Sequence, residues 1–180
     1  MNNLDKYTSA ITKEAGSETF CVLPWIHFAT RPNGDMRLCC SSNASGAGGD
    51  HTVGLVKMED GEPANFGRET PMEAWNNDYM KSVRTTMLNG EIPASCTGCF
   101  KEESQGIVSK RIWETGTWHQ DDNGVDIPEL IRQTKEDGTV PEDLKYFKIV
   151  VLFNCQYFIL TTLVLPSTSL PGLDTLTITQ

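Results

Sequence analysis

Basic residues are scarce in this chain, with 15 Lys and Arg against 24 Asp and Glu over 180 positions and a formal net charge of -9. Nucleic-acid affinity rests on neutralising phosphates with basic side chains, so no DNA or RNA partner is expected. The amino terminus lacks the positively charged start, apolar run and small-residue cleavage site of a secretory signal, so a reducing cytoplasm is the expected compartment. Six cysteines in that setting read as metal ligands more naturally than as disulfides. No internal repeat is evident. Charge itself is nearly missing from the last 33 residues, where Lys148 and Asp174 stand alone, while the preceding 147 hold 37 of the 39 charged residues. The composition breaks near Phe147. Ile149 to Leu165 runs for 17 residues without charge, at the lower limit for a membrane span. Asn154, Gln156, Thr161 and Thr162 interrupt it and β-branched and aromatic residues dominate, so a strand or poorly structured tail is expected and no membrane partner.

What the chain does contain divides it into a polar leader (1–19), a cysteine-bearing module (20–118), an acidic linker (119–147) and the low-charge tail (148–180). The linker's Asp121, Asp122 and Asp126 lack the spacing of a calcium loop and read as solvated. In the module, Trp25 to Thr30 and Asp35 to Cys39 flank Arg31-Pro-Asn-Gly34, and Asn-Gly between β-prone runs predicts a hairpin. A Gly/Ser/Asn loop follows from Ser41 to His51. Thr70 as N-cap, Pro71 and Glu73 compose a capping box, and Met72, Trp75, Tyr79, Val83 and Met87 share one face, so one helix is predicted from Pro71 to about Asn89. Phe100 to Glu114 has helical character despite Gly106, and a short helix is placed at Pro128 to Lys135.

The chemistry lies in the cysteines. Cys96-Thr-Gly-Cys99 supplies two thiolates from one short turn, and the hairpin should bring Cys21 and Cys39 together at its open end. Four soft thiolates suit an iron-sulfur cluster or a structural zinc ion, and spacing does not separate the two. Strand alternation would turn Cys40 away from Cys39, leaving Cys39 as the ligand. Cys155, in an apolar run, reads as a core residue, and His27, His51 and His119 receive no catalytic role. Trp25, Trp75, Trp113 and Trp118 read as core and shielding residues. The expected fold class is α+β: a small β-hairpin plus helix metal-binding module with a poorly defined C-terminal tail.

The order Cys21-x12-Gly34-x4-Cys39 with Pro24-Trp25, then the Trp75 helix, Arg84, Gly90, Pro93 and Cys96-x-x-Cys99, resembles the SPASM and twitch auxiliary domains of radical S-adenosylmethionine enzymes over roughly Phe20 to Phe100. The resemblance implies a [4Fe-4S] cluster on Cys21, Cys39, Cys96 and Cys99, with Zn2+ as the alternative occupant. No further cysteine follows the pair until Cys155, which makes the single-cluster twitch form the closer likeness. It also implies substrate positioning or electron transfer, with a peptide or protein substrate or a partner radical S-adenosylmethionine enzyme as partner. The Cys-x3-Cys-x2-Cys triplet that binds S-adenosylmethionine in that family is missing, since Ile159 and Thr162 stand where cysteines would follow Cys155, so independent catalysis is not expected. The tail begins about where a barrel's first strand would be expected, which suggests a truncated or frame-shifted product. The rival readings are a structural four-cysteine zinc module and a peptide- or partner-binding domain.

Overall fold

The computed structural model describes residues 13–42, 53–119 and 125–142 in full and the backbone of residue 120, 146–153 and 156–164. Most of the leader and of the Ser41 to His51 loop, His51, Asp121, Asp122, Cys155 and the side chains of the tail lie outside the described residues.

In chain order the elements are α1 (Leu23–Ile26), β1 (His27–Thr30), β2 (Met36–Arg37), α2 (Pro71–Trp75), α3 (Asp78–Leu88), a 3-10 turn (Ala94–Cys96), α4 (Thr97–Ser104), α5 (Lys110–Gln120), α6 (Ile127–Gln133), β3 (Tyr146–Phe153) and β4 (Gln156–Val164). Helices and a small sheet are mixed, as expected of the α+β class. The hairpin is real but shorter than its sequence signal. Arg31 N–H donates to Asp35 O at 2.8 Å and Ala29 pairs with Arg37, yet Leu23–Ile26 is helical, because Pro24 sits in the first turn where its missing N–H costs nothing. Beyond Arg37 the chain leaves the ladder before it reaches Cys39.

The predicted long helix is two helices. The capping box is present, with Thr70 Oγ1 accepting from Glu73 N–H and Glu73 Oε2 accepting from Thr70 N–H at 2.6 Å. The helix stops at Trp75 because Asn77 Oδ1 caps a second one by accepting Met80 N–H at 2.9 Å. Asn76, between them, turns its amide to Val140 O. The Phe100 to Glu114 helix also breaks in two: Gly106, at φ 78°, reverses the chain and Ser109 Oγ accepts Ile112 N–H at the start of α5.

The sheet has the order β2-β1-β3-β4, with β1 antiparallel to β2, parallel to β3, and β3 antiparallel to β4. A parallel neighbour requires a crossover, and here β2 and the helices α2 to α6 lie between β1 and β3. The backbone of 146–153 is thus a strand beside β1, and that of 156–164 a strand beside β3.

Phe28 meets Trp75 edge-on at 5.3 Å, and Phe20 lies 4.9 Å from Trp25, in a core shared with Leu23, Ile26, Met80, Met87 and Ile112. Arg84, fully buried, lies 5.0 Å from the Trp75 ring and donates to Pro24 O, Trp75 O, Gly138 O and Asn76 Oδ1. Residues 125–142, expected as a solvated linker, are strapped to this core. Trp25 Nε1 donates to Thr134 Oγ1, Trp75 Nε1 donates to Pro141 O, and Val125, Ile127 and Val140 are buried. Gly138 is required in this strap: its φ is 85°, and a Cβ there would lie 2.4 Å from Lys81 O.

Two outcomes follow for stability. Arg84→Met should destabilise the fold by roughly 3 kcal/mol or more in urea unfolding, because it strands buried carbonyls that the guanidinium satisfies. Thr70→Ala should cost about 1 kcal/mol at neutral pH. Hydrogen bonds from Thr70 hold the Glu73 carboxyl below its usual range, so the Glu73 half of the box is present above that range and lost as pH falls. The gap between wild type and Thr70→Ala should accordingly narrow in acid, and an equal gap at every pH would contradict the box.

Candidate metal centre

Each of the four cysteines reaches the same place by a different local device. Cys21 precedes α1, and the next amide, Val22 N–H, is fixed by Thr115 Oγ1 of α5 at 3.2 Å. Cys39 sits in a turn closed by Ser42 N–H donating to Cys39 O at 3.2 Å. Cys96 ends the 3-10 turn and occupies the N-cap of α4, which puts Cys99 at the third helical position, one turn away on the same side.

All four line a single pocket of about 20 Å³, together with Leu38, Met87, Ser95, Lys110 and Arg111 among others. Cys40 does not line it. The expected reason, strand alternation, fails because β2 ends at Arg37, and the turn separates the two residues instead: Cys39 is buried and Cys40 half-exposed. Cys21 and Cys39 form the buried wall, and Cys96 and Cys99 the more accessible one. Among the described residues no three His, Cys, Asp or Glu side chains stand close enough to share one ion.

Burial and mutual proximity set the electrostatics of the four thiols. Burial first, then Cys39 and Cys96 nearby, pushes the Cys21 thiol up. Burial, with Cys96 and Cys40 beside it, pushes Cys39 up to about 12, and burial pushes Cys96 up to about 11 and raises Cys99. Without a cation these are neutral thiols, and a bound metal would deprotonate them. Amides are nevertheless aimed at the sulfurs: Leu23 N–H at Cys21, Ser41 N–H at Cys39 and Arg111 N–H at Cys99. A neutral thiol is a weak acceptor, whereas donors to sulfur stabilise a thiolate.

Sequence reasoning missed the brace behind the cysteines. Arg111, 3% exposed, donates Nε to Glu103 Oε1 at 3.0 Å and Nη2 to Glu103 Oε2, while Nη1 reaches Glu18 O and Phe20 O at 3.0 and 2.9 Å. Its guanidinium also lies 4.5 Å from the Phe100 ring. One side chain thereby ties α4, which carries Cys99, to the segment entering Cys21. Lys110 pairs with Glu114 on the same rim.

No family model, curated protein or solved structure matches this chain.

Removing one sulfur tests the ligand set. Cys39→Ser should lose most bound metal and Cys40→Ser should keep it, read as metal per chain after gel filtration; equal losses would contradict the assignment. Arg111→Met should also release metal and destabilise the fold by about 3 kcal/mol, since it leaves the Glu103 carboxylate without its partner.

Proposed function

We propose that the chain binds a single [4Fe-4S] cluster through Cys21, Cys39, Cys96 and Cys99 and serves as the auxiliary module of a radical S-adenosylmethionine-type enzyme. The observation that carries the reading is the convergence of four thiols, from three separate stretches of chain, on one pocket, three of them with a backbone amide beside the sulfur. Four thiolates suit a cluster or a zinc ion, and the resemblance of the cysteine order to the SPASM and twitch domains favours the cluster. A four-thiolate zinc site draws all its sulfurs to about 2.3 Å of one ion. A cluster brings its own irons and sulfides, and each thiolate meets a separate iron.

The surroundings suit an anionic cluster. Lys110 and Arg111, paired with Glu114 and Glu103, open α5 on the pocket wall, where the positive end of its helix dipole lies. Donors to the sulfurs and limited solvent access tune a cluster's potential, and the buried Cys21–Cys39 wall with its N–H donors provides both. The module would position a peptide or protein substrate or relay electrons to a partner enzyme. Catalysis of its own is not part of the proposal, because the triplet that would leave an iron open to S-adenosylmethionine is missing from the sequence.

Protein prepared without oxygen should be brown and carry about four iron and four acid-labile sulfide per chain. A colourless protein with one zinc per chain would replace this reading with the structural zinc module. Reduced, cluster-loaded protein should form no 5'-deoxyadenosine from S-adenosylmethionine, and a product that depends on this chain would overturn the auxiliary assignment.

A further inference from the structure

The two walls of the pocket differ in what can reach them. Cys21 and Cys39 are 7% and 8% exposed, while Cys96 and Cys99 are half-buried and face the accessible side. Only the latter pair is also close in sequence and fixed in register. Cys96 is the N-cap of α4 and Cys99 lies in its first turn. Residues three apart on a helix have Cβ atoms roughly 5–6 Å apart, so a modest adjustment of one turn brings the sulfurs into bonding range.

We propose that Cys96 and Cys99 of the metal-free protein are oxidised by low-molecular-weight disulfides to an intrachain disulfide, which closes the site to metal until it is reduced. The regulatory half of this rests on the metal-site reading above, and the disulfide itself does not. Cys99 is the attacking thiol on geometric grounds: it lies on the accessible wall and in the first turn of α4, at the end of the helix that carries its unpaired N–H groups. The Cys99 sulfur displaces one thiolate from the small disulfide and forms a mixed disulfide. The Cys96 sulfur then attacks Cys99 and expels the second thiolate. Two electrons pass from the cysteine pair to the small disulfide, and the two thiol protons leave with the two small thiols formed.

The buried wall makes the product selective. Cys21 and Cys39 are shielded, and Cys40 is adjacent to Cys39 in a turn that holds it outside the pocket. Because Cys99 can no longer face an iron once it is bonded to Cys96, the oxidised protein loses two of four ligands at once.

The test uses the full chain, stripped of metal by chelation and fully reduced, then incubated with oxidised glutathione and alkylated. Intact mass should show alkylation falling from six thiols to four, and peptide mapping should find the Cys96–Cys99 bond. Iron and sulfide uptake should drop at least tenfold and return after dithiothreitol. Cys96→Ser should accumulate a glutathione adduct on Cys99, and Cys40→Ser should behave as wild type. Six alkylated thiols after oxidation, or a bond involving Cys21, Cys39 or Cys40, would overturn the proposal. A Cys96–Cys99 bond that leaves metal uptake unchanged would overturn its regulatory half. A reduced wild type that takes up neither iron nor zinc would defeat the metal-site reading and that regulatory half together, while the mass result still decides the disulfide.

Discussion

A buried guanidinium organises this molecule. Arg84 is closed off from solvent, and among the described residues no carboxylate pairs with it. Burial lowers its pKa to about 9, which still leaves it charged at neutral pH. A charge in that position persists only if it is hydrogen-bonded, and besides Asn76 Oδ1 it donates to carbonyls from three distant stretches: Pro24 in α1, Trp75 at the end of α2, and Gly138 in the strap. Each of those stretches must then present its backbone inward. The break between α2 and α3, the tight approach of Gly138 to Lys81 and the packing of residues 125–142 on the core together bring those carbonyls to Arg84.

Arg111 repeats this logic beside the candidate site with a different balance. There a carboxylate, Glu103, neutralises the guanidinium, and backbone carbonyls of Glu18 and Phe20 take what remains. The Arg84 network sets the Pro24 side of the Cys21 segment, and the Arg111 network sets its Phe20 side. The sulfur of Cys21 is thus positioned from both directions. Such bracing is what the proposed metal site would require, since a metal site tolerates little error in the placement of its thiolates.

Parts of this were legible in the sequence because they are local. The capping box of Thr70 and Glu73 is written in four consecutive residues, and the Asn33-Gly34 turn in two. The Asn76-Asn77 break was hidden because the apolar spacing of Trp75, Tyr79 and Val83 continues across it, while the cap at Asn77 competes with that pattern only through its side chain. The strap was read as linker because its composition is polar and its attachments are mostly main-chain carbonyls, at Gly138, Val140 and Pro141, which no side-chain pattern reveals. The Arg111–Glu103 pair was missed because it spans the reversal at Gly106. Its trace in sequence is Ser109, an N-cap residue directly before Lys110 and Arg111. The four cysteines were found from spacing and likeness, and the structure brings their side chains to one pocket.

The chemical nature of that centre is best read by X-ray absorption on anaerobically prepared wild-type protein. An iron edge with a sulfur shell and a second, iron–iron shell is the result this account requires, with the signal lost in Cys39→Ser. A zinc edge with four sulfurs and no metal–metal shell would contradict it.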